Sequence, residues 1–200
     1  MEYIHSQKII HRDIKPANLV LDERGYVRII DFGIAQYYSD NNAKERSGTS
    51  FYMAPEVMLG MNHSYTVDFF ALGVIGYQFM LNKNMYIGKN TKEIKEVMLS
   101  KQTYISSRDI PYGWSKEAAS FIIQLLERNP EYRLGNKGIY ELKQHVWLRD
   151  FSWEQLVKKQ LEAPFISESK YNYDLTHCNK NENNDLNIEK YNLYKNSTDY

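Results

Sequence analysis

The longest apolar segment of the chain lies near its centre and predicts a buried helix. Between Thr66 and Leu81, apolar side chains fall on every side of a helical wheel rather than along one stripe. A helix that is apolar all round is a buried one. We therefore expect residues 66–81 to form the central element of the hydrophobic core.

Three further segments have the spacing of amphipathic helices that would pack around such a centre. Ser115 is placed to cap one of them, and Asn90, with Glu93 three residues later, is typical of a capping box at the start of another. A shorter apolar repeat runs over residues 139–146. The positions expected to face inward are Ala118, Phe121, Ile122, Leu125 and Leu126 in the first, Ile94, Val97 and Met98 in the second, and Ile139, Leu142 and Val146 in the third.

The β-structure that the pattern predicts is confined to the first part of the chain. Residues 19–21 and 27–30 are short β-rich runs, and the sequence between them, which ends in Gly25, is typical of a turn. We expect a hairpin there, preceded by the last turns of a helix over residues 1–8. Residues 34–53 have no periodicity and predict a mobile loop. The predicted fold class is therefore mainly α with a small β-hairpin (α+β).

Composition and charge narrow the classes of protein that the chain can represent. Its 200 residues suffice for one domain, and 42% of them are apolar, which supports a packed core. The 25 basic and 25 acidic residues balance, which argues against broad electrostatic binding to nucleic acid or membrane. Cys178 is the single cysteine, and the first residues do not resemble a signal peptide. These features predict a soluble, cytoplasmic protein, with the nucleus also open.

Candidate chemistry is concentrated in residues 11–18 and 31–33. Asp13 is a carboxylate suited to orient an attacking hydroxyl and accept its proton. Lys15, two residues later, supplies a cation for a transferring phosphoryl group. Asn18 and Asp31 offer the hard oxygen ligands that Mg²⁺ prefers beside nucleotide phosphates. Because the predicted hairpin begins after Asn18 and ends before Asp31, these side chains are expected to converge at one end of it.

The segment from His11 to Asn18, followed by Asp31-Phe32-Gly33, resembles the H-R-D-x-K-P-x-N and D-F-G motifs of protein kinases. The resemblance implies a protein serine/threonine kinase that transfers the γ-phosphoryl group of ATP, with Mg²⁺, to Ser or Thr of protein substrates. Lys15 marks the serine/threonine type. Thr49 is similar to the threonine that bonds the catalytic aspartate and lysine in that type, so it joins the candidate catalytic residues.

The resemblance also implies a set of structural residues. Glu56, in an Ala-Pro-Glu triplet, is similar to the glutamate that forms a buried ion pair in kinases, and Arg133 matches its partner. Asp68 resembles the aspartate that holds the backbone of the catalytic loop from the buried helix. Arg12 matches the arginine that is usually neutralised by a phosphate on the activation loop. At the place where that phosphorylated residue often lies, this chain has Glu45, which offers a permanent negative charge instead.

The second half of the chain is similar to the AGC group, and most of all to its cyclic-nucleotide-dependent members. The segments that carry this likeness are Val67–Val74, His145–Leu148 and Leu161–Ile166. Tyr173 resembles a tail aromatic that lies beside the nucleotide, and an ordinary loop tyrosine is the alternative. The resemblance predicts a C-terminal kinase lobe over 1–149, an AGC-type tail over 150–178 and a disordered Asn-rich tail over 179–200.

Two departures from the family pattern bear on the substrate. Basophilic AGC kinases bind an arginine upstream of the acceptor with acidic residues, but the matching positions here are Ala17 and Gln78. A weakened preference for that arginine is therefore expected, because a guanidinium would lose its charged partners. Lys89, Lys92 and Lys95 are interpreted as a solvated helix face rather than a docking patch.

The Gly-rich loop and the nucleotide-binding lysine of kinases do not precede His11 in the ten residues given. The resemblance is therefore to the C-terminal lobe and tail, without the N-terminal lobe. Two hypotheses follow, namely a truncated kinase or a catalytically inactive kinase-like lobe that acts as an interaction module. Possible partners beyond substrates are a regulatory domain or the missing N-terminal lobe. Translation of the gene upstream of Met1 would discriminate between the two hypotheses.

Overall fold

The structure is a computed structural model that describes residues 1–39, 47–100 and 102–166. The chain divides into two compact units, Met1–Pro164 and Phe165–Tyr200. Everything reported below concerns the first unit, which includes the first part of the segment predicted as a tail. The predicted boundaries at 149 and 178 stay predictions.

The described residues are mostly helical, with two small antiparallel sheets, and this confirms the predicted α+β class. The helices are α1 Glu2–Ser6, α2 Pro55–Met58, α3 Thr66–Leu81, α4 Thr91–Ser100, α5 Lys116–Leu125, α6 Ile139–Gln144 and α7 Trp153–Val157. The strands are β1 Ile9–Ile10, β2 Leu19–Leu21, β3 Val27–Ile29 and β4 Gln36–Tyr37, and a 3₁₀ turn covers Pro16–Asn18. In the described part of the chain, no helix has the length and apolarity needed to cross a bilayer.

Helix α3 forms the centre of the core, as its sequence predicts. Phe70 and Val74 pack in the largest cluster, with Ile122 of α5, whereas Phe69 belongs to a second cluster on another side of the helix. The prediction of burial all round is wrong at Phe79, which is 64% exposed. That residue lies in the last turn of the helix, on a side that the core does not cover, whereas its neighbour Met80 is buried. The helix ends at Leu81, followed by Asn82 in the left-handed conformation that asparagine tolerates best after glycine.

The predicted helix starts are present in α4 and α5. The Ser115 hydroxyl accepts a hydrogen bond from the Ala118 N–H at 3.1 Å, and the side-chain oxygen of Asn90 accepts one from the Glu93 N–H at 3.0 Å. The Glu93 carboxylate reaches back to the N–H of Lys89 rather than to that of Asn90. Two inward assignments are wrong, because Val97 and Val146 are exposed; Val146 lies beyond the end of α6.

The predicted hairpin is confirmed as β2 and β3, paired in the register Leu19 with Ile29. A second sheet, in which β1 pairs with β4, has strands of two residues each. The sequence did not predict it, because so short a strand carries no alternation, and residues 34–53 had been expected to form a mobile loop. Within that range, residues 40–46 lie outside the described part.

The turn of the hairpin contacts the chain just after α7. Asp22 accepts hydrogen bonds from the backbone N–H of Tyr26 and from the side chains of Arg28 and Lys159. Those bonds outweigh its partial desolvation and hold the pKa of the Asp22 carboxyl well below its ordinary value. The Tyr26 hydroxyl donates to the carbonyl of Leu161. The hairpin turn and residues 159–161 are therefore fastened together.

Candidate active site

The loop between β1 and β2 carries most of the candidate residues, and contacts with α3 hold it in place. Ile14 is 1% exposed and packs with Ala71 and Ile75 of α3. Because the Ile14 side chain points into the core, the side chains of its neighbours Asp13 and Lys15 point in other directions. The loop therefore owes its position to an apolar anchor placed between two charged residues.

Asp68 of α3 holds the backbone at the start of this loop. Its two carboxylate oxygens accept hydrogen bonds from the N–H groups of His11 (2.9 Å) and Arg12 (2.8 Å). One oxygen also lies 2.9 Å from the ring nitrogen of His5. A carboxylate 99% buried in an apolar helix would be costly without such partners. These are the contacts that the resemblance implies for Asp68.

Asp13 lies at the centre of a closely bonded group of polar side chains. Its Oδ1 accepts from both the N–H (3.0 Å) and the hydroxyl (2.8 Å) of Thr49. Its Oδ2 accepts from the ammonium group of Lys15 at 2.6 Å and from the amide of Asn18 at 3.1 Å. Lys15 also donates to the Thr49 hydroxyl at 3.0 Å. The structure thus brings together four of the predicted site residues, from two loops that are far apart in sequence.

The charge state of Asp13 follows from these contacts. Burial favours the neutral acid, but the hydrogen bonds from Lys15 and Thr49 outweigh it, so the pKa of Asp13 lies below its ordinary value. The residue is therefore a carboxylate at neutral pH. Its four acceptor positions are all used, and a hydroxyl can bond to it only if one present donor leaves. Lys15 is the donor best able to leave, because a phosphoryl oxygen would offer its ammonium group another anionic partner.

The orientation of the Asn18 amide is determined by its neighbours. Its NH₂ group donates to both the carbonyl oxygen and Oδ2 of Asp13, and since both are acceptors the amide cannot be reversed. Its carbonyl oxygen consequently faces away from Asp13. Among the described residues that oxygen has no hydrogen-bond donor, and a hard oxygen left free in this way suits Mg²⁺.

The segment of Asp31 is hydrogen-bonded to this group by its backbone and not by the Asp31 side chain. The N–H of Ile30, one residue earlier, donates to the carbonyl of Asn18 at 3.0 Å. The Asp31 side chain is exposed, and one of its oxygens accepts from the N–H of Gly33 at 3.2 Å. The other oxygen has no donor among the described residues. Asn18 and Asp31 therefore both have an oxygen that fits a hard cation, but no hydrogen bond joins Asp31 to Asp13 or Lys15.

His11 is a positioning residue that was not singled out from the sequence. It is fully buried, and its Nδ1 accepts from the N–H of Asp13 at 3.3 Å. Its other ring nitrogen therefore carries the proton and donates to the carbonyl of Ile30 at 3.1 Å. The ring also meets Phe32 edge-on, with centroids 4.9 Å apart. His11 thus links the loop of Asp13 to the segment of Asp31; its place in the motif was the signal that could have revealed it.

Comparison with known proteins agrees with this arrangement. A family model described as "Protein kinase domain" matches residues 1–148. The chain belongs to the protein kinase family. Human cGMP-dependent protein kinase 2 is 35% identical over 182 residues, which cover 90% of this chain and 24% of that protein. Human ribosomal protein S6 kinase alpha-6 is 33% identical over 167 residues, covering 82% of the chain and 22% of that protein.

These relatives confirm the resemblance to the AGC group, including its cyclic-nucleotide-dependent members. The chain spans about a quarter of the length of the curated relatives that it matches. The family model covers the whole region of the site described above.

The kinase-type ion pair between Glu56 and Arg133 is fully formed. Both terminal nitrogens of the Arg133 guanidinium donate to the Glu56 carboxylate, at 2.6 and 2.9 Å, and both residues are at least 97% buried. Arg133 also donates to the carbonyls of Thr66, Glu127 and Arg128. The pair joins α2, which follows the Thr49 loop, to the segment between α5 and α6, and the bond to the Thr66 carbonyl extends this link to the start of α3.

Arg12 is bonded to the segment that follows Asp31. Its side chain donates to the carbonyl of Ile34 at 2.6 Å and to the side-chain oxygen of Gln36 at 2.7 Å. The predicted partner Glu45 lies outside the described residues, as does the candidate nucleotide contact Tyr173. The loop that carries Thr49 also approaches Arg12 closely. A Cβ at Gly48 would lie 2.6 Å from the Arg12 carbonyl, so only glycine fits there, with φ of +114°.

Proposed function

We propose that this chain is the catalytic-loop part of an ATP-dependent protein serine/threonine kinase. The observation that carries the proposal is the arrangement around Asp13, whose carboxylate is oriented by Thr49, Lys15 and Asn18. A carboxylate with a lowered pKa and fixed rotamer is suited to orient a hydroxyl. It would accept the proton only as the new bond forms.

In the proposed reaction, the oxygen of a substrate hydroxyl bonds to the γ-phosphorus of ATP while the bond from that phosphorus to the β–γ bridging oxygen breaks. Asp13 receives the hydroxyl proton, and ADP leaves with the bonding electrons. Lys15 turns from Asp13 toward the transferring group and offsets its negative charge. Asn18 and Asp31 would hold Mg²⁺, which neutralises charge on the nucleotide phosphates when it is bound.

The finer assignments rest on the same residues. Lys15 and Thr49, together with the AGC relatives, support serine and threonine rather than tyrosine as acceptors. The substrates we propose are proteins. We place the kinase in the cytoplasm or nucleus, on the sequence evidence given above.

The test is phosphoryl transfer by the natural protein, expressed from its own gene with whatever sequence adjoins these 200 residues. The assay measures transfer of radiolabelled γ-phosphate from Mg-ATP to a library of peptides with serine, threonine or tyrosine as acceptor. We expect transfer to serine and threonine. Asp13→Asn keeps the shape of the side chain but removes the charge, and should lower the rate by about 10²–10⁴-fold.

Asp150→Asn serves as the matched control, because the Asp150 side chain is 92% exposed and lies outside the site. Its rate should equal that of the unmodified protein. Equal rates for Asp13→Asn and the unmodified protein would overturn the proposed role of Asp13. No transfer by a folded natural protein would favour the interaction module instead.

A further inference from the structure

A cleft of about 400 Å³ opens beside the loop that carries Thr49. One wall is formed by residues 48–58 and the other by the first turns of α4; its lining includes Ser50, Met53, Thr91, Lys92 and Lys95. The two walls are joined by a hydrogen bond of 3.0 Å between the hydroxyls of Ser50 and Thr91. This bond holds the two walls of the cleft together.

The cleft has an unbalanced positive charge. Lys92 and Lys95 both line it, one helical step of three residues apart, and none of its lining residues is acidic. Neither ammonium group forms an ion pair with any carboxylate that the structure describes. Helix α4 carries two carboxylates, Glu93 and Glu96. Glu93 bonds to the N–H of Lys89 and the amide of Asn90, and no ion pair of Glu96 with Lys92 or Lys95 is present among the described residues. Lys92 is exposed and Lys95 is half-buried, so both ammonium groups are accessible to a bound partner.

Two unfavourable interactions make this arrangement costly in the absence of a partner. Like charges three residues apart on a helix repel each other. Lys92 also lies in the first turn of α4, where the positive end of the helix dipole disfavours a cation and favours an anion. Both costs would be relieved by an anion in the cleft.

The position of the cleft relative to Asp13 indicates what that anion would belong to. Thr49 bonds to Asp13 directly, and Ser50, the next residue, already lines the cleft. A peptide whose hydroxyl lies at Asp13 would therefore bring neighbouring residues into the cleft. An extended chain advances by about 3.3–3.6 Å per residue, so those neighbours are close to the acceptor in sequence.

We infer that Lys92 and Lys95 select protein substrates that carry an anionic side chain close to the acceptor serine or threonine. The inference rests on the proposed kinase function, because it names the substrate class of that site. The anion is a carboxylate or the phosphate of a previously phosphorylated residue; both chemistries satisfy two ammonium groups. The replacement of two acidic positions by Ala17 and Gln78 removes the competing attraction for basic peptides.

The experiment measures peptide binding to the purified natural protein by fluorescence anisotropy, at low and at physiological salt. The probes are short labelled peptides with one central serine and with alanine, lysine, glutamate or phosphoserine at single flanking positions. Glutamate or phosphoserine peptides should bind about threefold to tenfold more tightly than alanine peptides, as expected for two partly exposed ion pairs. The glutamate and phosphoserine arms distinguish an acidic sequence from a prior phosphorylation.

Variants locate the effect. Lys92→Ala with Lys95→Ala should abolish the preference, and Lys92→Glu with Lys95→Glu should shift it to the lysine peptides. Lys83→Ala with Lys89→Ala removes equal charge from outside the cleft and should leave the preference intact. Each variant is checked by its thermal unfolding temperature, and retention of the preference in a folded Lys92→Glu, Lys95→Glu protein would overturn the inference.

The outcome is separable from that of the kinase assay, because binding requires no ATP. Phosphorylation of serine peptides without any acidic preference would refute the lysine cleft and leave the kinase proposal standing. Binding of acidic peptides through Lys92 and Lys95 without phosphoryl transfer would refute the kinase proposal and retain the cleft as a peptide site.

Discussion

The ion pair between Glu56 and Arg133 offers the sharpest test of how this lobe is held together. Glu56→Gln removes the negative charge but keeps the size of the side chain, so the Arg133 guanidinium stays buried with only neutral partners. Breaking a buried ion pair costs about 3–5 kcal/mol. Because the glutamine oxygen still accepts one hydrogen bond and three backbone carbonyls remain, we expect about 3 kcal/mol.

Urea unfolding followed by tryptophan fluorescence measures this loss at neutral pH. With a slope of about 1–3 kcal/mol per molar urea, the midpoint should fall by about 1–3 M. The matched control is Glu154→Gln, which breaks the exposed pair with Lys158 and should cost less than about 1 kcal/mol.

A double variant separates the pair from its surroundings. Glu56→Leu with Arg133→Met replaces both charges by apolar groups, which restores charge neutrality but leaves the three carbonyls without their donor. The double variant should therefore be more stable than the sum of the single effects allows, though less stable than the original. A cost below about 1 kcal/mol for Glu56→Gln, or strictly additive effects, would refute the reasoning.

Three further predictions concern packing, pH and specificity. Gly135→Ala should destabilise the lobe by about 1–3 kcal/mol in urea unfolding, because its Cβ would lie 2.4 Å from the ring of buried Phe69; Gly113→Ala, with positive φ but open space, should cost clearly less. Burial lowers the pKa of His145, so the folded state binds a proton less readily than the unfolded chain does. The thermal unfolding temperature should therefore be steady above pH 6.5 and fall as the pH is lowered below it. A His145→Gln variant with the same dependence on pH would contradict this. In the kinase assay, selection for arginine two residues before the acceptor should be weak, and Gln78→Glu should raise it about tenfold in a peptide array; strong selection by the unmodified protein would count against the role given to Gln78.

The longer helices were predictable because their signals are local, whereas the short helices α2 and α7 were not predicted. Ser115 and Asn90 mark the starts of α5 and α4 through hydrogen bonds to residues three positions later. The apolar run of α3 is recognisable from its own sequence. Phe79 and Val97 were misplaced for a different reason. Whether a given apolar position is covered depends on which element packs over it, and that element lies elsewhere in the sequence.

The candidate site was predictable in its residue types but not in its bonds. The motif identifies Asp13, Lys15 and Asn18 as neighbours, and the family resemblance adds Thr49. The acceptor positions of Asp13 are all filled, and the Asp31 side chain lies apart from them. Both facts follow from the geometry of the backbone, which has φ of +64° at Asp31. The spacing of residues in the sequence does not encode this geometry. The role of Lys92 and Lys95 also depends on an approach between α4 and the Thr49 loop that sequence periodicity does not report.

The contact between the hairpin turn and the end of α7 has a consequence for how the protein is made. Arg24 and Tyr26 meet Lys159 and Leu161 across a sequence separation of 135 residues. On the ribosome the hairpin emerges before its partner segment, residues 159–161, which is translated about 135 residues later. The side chains of Arg24 and Tyr26 therefore stay hydrated until the segment after α7 has been synthesised. These contacts are accordingly among the last to form during folding, and a chain that stopped shortly before residue 159 would be released without them.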